Sequence, residues 1–520
     1  MSGPADSAVS RPGATGLLVA GTTSDAGKSL VVTGLCRAFV RRGLDVVPYK
    51  AQNMSNNSGV CADGAEIGRA QILQAQAARR EPTSAMNPVL LKPGTDRRAH
   101  VVVRGRPAGV LEAGQYATGR RHLAEAAWAA YEELESAHDL VVCEGAGSSA
   151  EINLRAGDYV NLGLARRFDL PVVVVGDIDR GGVLAALYGT VALLEPEDRA
   201  LVRTFVVNKF RGDPSVLAPG LTEITRRTGV PFAGVLPWLD GVWLDAEDSL
   251  EVGAWRRSVR SGAEGARLRV AVVRLPRVSN ATDVEALAAE PGVEVLVTTD
   301  PEVVAGADLA VLPGTRATFS DLAWLRRTGI AAAVLDRVGR EAPVLGICGG
   351  YQMLGLRVED PAGVEADVGS SAGVAVDGLG LLPVVTRFAV EKSLGRPAGS
   401  WRGHAVQAYE IHHGRAERAA SADATTFPEP VEGFLDGWRV GSTWGTVWHG
   451  ALENDAFRRA WLVEVAAAAG SSWTPAPDAV AYGARREAMI DTLADAVEEH
   501  LDLDLLLAET RVASSRAVAR

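Results

Sequence analysis

Cysteine is scarce in this 520-residue chain: Cys36, Cys61, Cys143 and Cys348 are the whole set. Four scattered thiols exclude a disulfide framework or a zinc cluster and fit a reducing cytoplasm. Long apolar runs are also lacking. The richest, PVVVVG at 171–176, is strand-length, well short of the ~18–20 residues that cross a bilayer. Residues 1–16 carry neither the apolar core of a secretion signal nor the Arg-rich pattern of a transit peptide. Secretion and membrane insertion are not expected. Positive charge is in deficit, with a net charge of −11, so a broad nucleic-acid surface has no support. Lysine is rarest among the cations: Lys28, Lys50, Lys92, Lys209 and Lys392 stand against forty-eight arginines. Against that background a Lys marks a place where a compact charge on a flexible stem is wanted.

What remains is a chain with 47% hydrophobic and 22% charged residues, enough for large cores. Residues 16–255 alternate β-rich runs (LLVAG, DVVPY, DLVVC, PVVVVGD, RTFVVN, PFAGVLP) with helical patterns, including one from about Ala65 to Arg80. Strands of this kind, buried on both faces, describe a parallel α/β sheet. A polar stretch at 256–267 reads as a linker. A second α/β series occupies 268–510, with helices near its end, and residues 1–15 read as a disordered tail.

The first strand runs into GTTSDAGKS, Gly21 to Ser29. A phosphate loop needs inward N–H groups, glycine at the closest approach, a Lys for the outer phosphates and a hydroxyl for Mg²⁺. Thr22, Ser24, Asp25, Ala26, Gly27, Lys28 and Ser29 meet that need, which implies ATP. One extra residue in the spacing makes the loop similar to that of dethiobiotin synthetase-like ligases. Glu144 of CEGAGS ends a strand where a Mg²⁺ carboxylate is expected. The relaxed dinucleotide fingerprint across 145–150 is weak evidence for NAD. Asp177, Asp179 and Arg180 of GDIDRGG end another strand and are candidate phosphate or substrate contacts, with helix capping as the bland alternative. Asn208 of NKFRGD is a candidate adenine contact.

In PVLGICGGYQMLG the residue Cys348 sits on a G-x-C-x-G bend between strand and helix, where a nucleophile is exposed and its thiolate favoured. Gly314 of LPGT and Gly349 are candidate oxyanion donors. His449 of TWGTVWHG is the expected base. His412 and His413 are rivals, of which alternation on a strand would let at most one serve.

These stretches, with PYKAQNMSNNS, DGAEIGRAQ, MNPVLLKP and YEIHHGR, resemble over nearly the whole chain the cobyric acid synthases, glutamine-dependent amidating ligases of cobalamin biosynthesis. The resemblance implies a P-loop parallel-sheet synthetase domain followed by a class I glutamine amidotransferase domain. It makes Cys348 the glutaminase nucleophile and His449 its base. The Glu usual two residues beyond that His is Ala451 here, which leaves the third member open. Similarity to dethiobiotin synthetase suggests Glu66 as a second Mg²⁺ carboxylate beside Glu144, with Asp63 the competitor, and Lys50, Gln52 and Asn53 are expected to contact corrinoid or phosphate. The implied reaction joins ammonia from glutamine to the b, d, e and g carboxylates of adenosylcobyrinic acid a,c-diamide through acyl phosphates. Rivals are cobyrinic acid a,c-diamide synthase and, in a different class, a regulatory P-loop ATPase carrying an inactive amidotransferase-like domain.

Overall fold

The computed structural model describes residues 15–95, 98–112, 121–242, 267–365, 373–420, 427 and 429–518. All but the last residue of the expected tail (1–15) and linker (256–267) lies outside them. The valine-rich runs form one six-stranded parallel sheet. Its order is Phe232–Pro237, Val202–Phe210, Val172–Asp177, Thr15–Gly21, Leu140–Glu144, Val46–Tyr49. β-branched side chains fill both of its faces, and Val19, Val141, Val174 and Val206 are fully shielded. From the central strand Thr15–Gly21 the chain first builds one side of the sheet and then the other. That reversal opens a crevice at the strands' carboxyl ends, where α/β sheets bind ligands.

The second domain has a seven-stranded sheet in the order Val293–Thr298, Leu268–Val273, Leu309–Leu312, Val344–Ile347, Thr443–Thr446, Gly437–Val440, Val431–Phe434. The first five run parallel and the last two are antiparallel. Beside it, Val384–Gly395 and Glu410–Arg418 pair within a smaller sheet. None of the described helices is long and apolar enough to cross a membrane.

Two expectations change. The helix expected over 65–80 is only Arg69–Ala77. Short strands precede it, because Ser58–Val60 pairs with Glu66–Gly68 and Gln52–Met54 pairs with Val89–Thr95. The helix Tyr482–His500, expected with the second domain, packs mainly on the first. Its start stays with the second domain, where the Tyr482 hydroxyl donates to Glu285 Oε2 at 3.1 Å. Beyond that, Met489, Ile490, Ala494 and Val497 join Val31, Leu35 and Ala38 of the helix Lys28–Arg41 in one core. The flanking acidic residues meet two arginines. Buried Arg37 donates to Asp491 at 2.7 Å and Glu487 at 2.8 Å, and Arg41 donates to Asp495 at 2.6 Å. The apolar and acidic residues recur at helical spacing, which is why this segment seeks a basic, apolar partner.

The two helices touch at Gly34, where an added Cβ would come within 2.7 Å of Val497 Cγ2 and 2.9 Å of the Leu493 carbonyl oxygen. Gly34→Val is expected to cost about 1–3 kcal/mol, the scale of overpacking a tight core. Urea denaturation checks this; an unchanged midpoint would contradict the packing described.

Candidate active sites at two sheet edges

The strand Thr15–Gly21 ends in the glycine-rich loop, and the helix begins at Lys28. Gly27 has φ +91°, and a Cβ there would lie 2.1 Å from Asn208 Nδ2, so glycine is needed on both counts. Lys28 is buried, with its ammonium folded back across the loop. It donates to the carbonyls of Thr23 at 2.8 Å, Ser24 at 3.0 Å and Gly147 at 3.0 Å. The loop is anchored by Thr22 N, which donates to Val175 O at 3.0 Å. Neighbouring strand ends brace it: Arg180 pairs with Asp25 at 2.8 Å, and Lys209 Nζ bridges Asp177 Oδ2 and the Asp25 carbonyl, both at 2.8 Å. Asp179 lies 3.4 Å from Arg211.

Glu144, fully buried at the end of its strand, accepts from Ser29 Oγ at 2.7 Å, from Lys50 Nζ at 2.8 Å and from Gln74. A hydroxyl and a carboxylate oxygen side by side next to a phosphate loop are hard oxygen donors, the chemistry that suits Mg²⁺ held largely through phosphates and water. Ser29, Glu144 and Lys50 are thus brought together, and Gln74 joins them unforeseen. Glu66 is not brought to this group. The strand Glu66–Gly68 turns it towards Lys92 Nζ at 2.6 Å, Ser58 Oγ at 2.8 Å and Lys392 Nζ at 2.5 Å. Burial opposes its charge, yet Lys392 and Lys92 hold its carboxyl well below the usual range. Asp63 is exposed, and its Oδ1 accepts from Ala65 N at 3.0 Å in the intervening turn.

Gln52 and Asn53 are buried by their strand's pairing, away from any open surface. Gln52 Oε1 accepts from the Tyr159 hydroxyl at 2.5 Å, and Asn53 Nδ2 donates to Gln71 Oε1 at 2.9 Å. Asn208 is likewise buried. Its amide donates to the Ala26 carbonyl at 3.0 Å, so it braces the phosphate loop rather than presenting an edge to a base.

In the second domain Cys348 has φ +50° and ψ −110° between the strand Val344–Ile347 and the helix Gly349–Leu354. That strained bend is the geometry of a nucleophile elbow. Gly314 and Gly349 flank the site: a Cβ on Gly314 would lie 3.1 Å from His449 Cε1, and one on Gly349 would lie 3.0 Å from Thr315 N. His449 is buried, and Cys348 is among the groups that act on its charge. The residue missing from the sequence reading is Asp283. Its Oδ2 lies 2.6 Å from His449 Nδ1, and its Oδ1 accepts from Gly450 N at 2.9 Å. Burial works against the imidazolium, but Asp283 and the Cys348 sulfur raise His449 to about 10. Ala451 is buried beside this carboxylate.

His412 and His413 both line the cavity that holds Cys348. Strict alternation would have separated them, but the ladder between Val384–Gly395 and Glu410–Arg418 shifts register between Phe388 and Ser393. Within the shift His413 Nδ1 lies 3.2 Å from the Ala389 carbonyl oxygen. Neither replaces His449 at the sulfur. His412 is tied to Gly414 O at 2.8 Å and Glu410 at 3.3 Å.

Family models match both halves. Residues 17–252 fit a CobQ/CobB/MinD/ParA nucleotide binding domain, and residues 269–457 fit a CobB/CobQ-like glutamine amidotransferase domain. With the two sites described, this fold defines a glutamine-dependent amidoligase. A cobyric acid synthase of Cutibacterium acnes is 64% identical over 95% of this chain and 99% of its own. Others, from Mycolicibacterium gilvum (57%) and Mycobacterium tuberculosis (54%), each cover 95% of this chain and 96% of theirs. The chain belongs to the cobyric acid synthase family, whose work is cobalamin biosynthesis.

Asp283→Asn is expected to lower glutaminase kcat about 10²–10⁴-fold, the range seen when an imidazole loses the carboxylate that orients it. Since Asp283 raises His449, its loss also moves the alkaline limb of the kcat/KM profile, where His449 gives up its proton, towards neutral pH. A pH profile of glutamate release checks both. An unmoved limb would exclude Asp283 from the site.

Proposed function

We propose that the chain amidates the b, d, e and g carboxylates of adenosylcobyrinic acid a,c-diamide in turn, spending ATP and glutamine, to give adenosylcobyric acid. The observation that carries this reading is the presence in one chain of a phosphate loop with a buried Ser29–Glu144 pair and a thiol with a carboxylate-backed imidazole. Membership of the family supports a corrinoid substrate.

A carboxylate does not accept ammonia at neutral pH, because its oxygen is a poor leaving group. In the first site a substrate carboxylate oxygen attacks the γ-phosphorus of ATP, and ADP leaves with the electron pair, giving an acyl phosphate. Lys28 exchanges its loop carbonyls for phosphate oxygens, and Arg180, already beside the loop at Asp25, neutralises charge as it builds. Ser29 and Glu144 are the residues that would hold Mg²⁺, which when bound offsets negative charge on the phosphates. In the second site the Cys348 thiolate attacks the side-chain carbonyl carbon of glutamine. His449 gives its proton to the departing nitrogen, ammonia leaves, and water hydrolyses the thioester to glutamate. The ammonia attacks the acyl carbon, and phosphate departs as the amide forms.

The test uses the full-length chain with the a,c-diamide, ATP and glutamine, product amides being counted by mass spectrometry. Wild type is expected to add four. Cys348→Ala should abolish amidation with glutamine and keep it with ammonium chloride. Lys28→Ala should lower amidation from either nitrogen source by about 10²-fold or more, since it removes charge stabilisation of the transferred phosphoryl group, while glutamate release persists. Unchanged ligase turnover in Lys28→Ala, or thiol-independent glutamate release, would overturn the assignments.

A further inference from the structure

The buried carboxylate of Glu66 divides its two oxygens between the two domains. Oε1 takes Lys92 Nζ and Ser58 Oγ from its own domain, and Oε2 takes Lys392 Nζ from the strand Val384–Gly395 of the other. Glu66 and Lys92 are buried, and the Lys392 side chain is 9% exposed. Lys92 and Lys392 also line the cavity that contains Cys348, together with Arg316, His412 and His413. A buried charge left with half its partners is costly, so this bridge favours one arrangement of the domains over others.

Hydrogen bonds lead away from the bridge to both sites. On the thiol side, Ser58 N donates to Asn280 Oδ1 at 2.9 Å, and Ala281 N donates to Asn57 Oδ1 at 3.3 Å. Two residues further on is Asp283, which holds His449. On the phosphate side, Gly68, two residues after Glu66, donates through its N–H to Asn87 Oδ1 at 3.2 Å. Asn87 Nδ2 donates to the Lys50 carbonyl at 3.1 Å, and Lys50 Nζ is bound to Glu144. Contiguity of this kind is a route for coupling only if breaking it uncouples the sites.

We propose that the Lys92–Glu66–Lys392 bridge is a positioning element that couples ammonia release at Cys348 to amide formation in the first domain. It rests on the amidoligase reading above. It also gives Glu66 a role distinct from the Mg²⁺ ligand that the resemblance implies.

The experiment measures, on the full-length chain, glutamate released per amide formed with glutamine, and amidation when ammonium chloride replaces glutamine. In Lys392→Met the glutamate-to-amide ratio is expected to rise about fivefold or more, the scale of a modest intersite coupling energy, with ammonia-supported amidation near wild type. Glu66→Gln should behave alike, and Lys392→Arg, which keeps the charge, should return most of the coupling. A wild-type ratio in Lys392→Met would overturn the proposal. So would loss of ammonia-supported amidation in Glu66→Gln, which would put Glu66 in the phosphate chemistry. Absence of thiol-dependent glutamate release from wild type would instead remove the amidoligase reading, and the bridge's role with it.

Discussion

One short turn, residues 280–283, touches both domains at once. At one end Asn280 and Ala281 are hydrogen-bonded to Ser58 and Asn57 of the first domain. At the other, Asp283 spans His449 and Gly450 with its two oxygens. His449 itself is buried, so its imidazole has little solvent to stabilise the charged form, and Asp283 with the Cys348 sulfur reverses the cost of burial. Tyr409 adds to the constraint. Its ring stacks on His449 at 5.4 Å, and the two residues exchange backbone hydrogen bonds at 3.0 and 2.8 Å. His449 is held from several sides, and the turn that orients it also touches the neighbouring domain.

The first domain follows a different electrostatic logic. Its crevice gathers cations whose partners are replaceable. Lys28 rests on neutral carbonyls, which a phosphate would outcompete, and Arg180 rests on a half-exposed Asp25. The deeper group is not replaceable in the same way. Glu144 is fully buried, and Lys50, Ser29 and Gln74 together satisfy its charge. The exchangeable partners of Lys28 and Arg180 suit this crevice to receiving a triphosphate.

Legibility from sequence followed the locality of the chemistry. The phosphate loop, Cys348 and His449 could be read because each function demands particular residues within a few positions of a strand end. The alternation of valine-rich runs with helical spacing likewise revealed the first parallel sheet and the α/β character of the second domain. Asp283 could not be found that way. It lies 166 positions from His449 in the chain, and where a Glu at 451 was the usual signal this chain has Ala. Its only clue was an acidic residue just past the first strand of the second domain. Glu66 and Lys392 are 326 positions apart, and only the docking of two domains brings them together. The helix Tyr482–His500 misled for a related reason: sequence order attached it to the second domain, while its acidic and apolar residues matched Arg37, Arg41 and the core of the first.

On the proposed function, nitrogen freed at Cys348 is consumed in the same molecule. The direct measurement is amidation with glutamine labelled by ¹⁵N in its side chain, in the presence of excess unlabelled ammonium at neutral pH, followed by isotope analysis of the corrinoid amides. The new amides are expected to carry ¹⁵N almost throughout. Amides with the isotopic composition of the medium would contradict this.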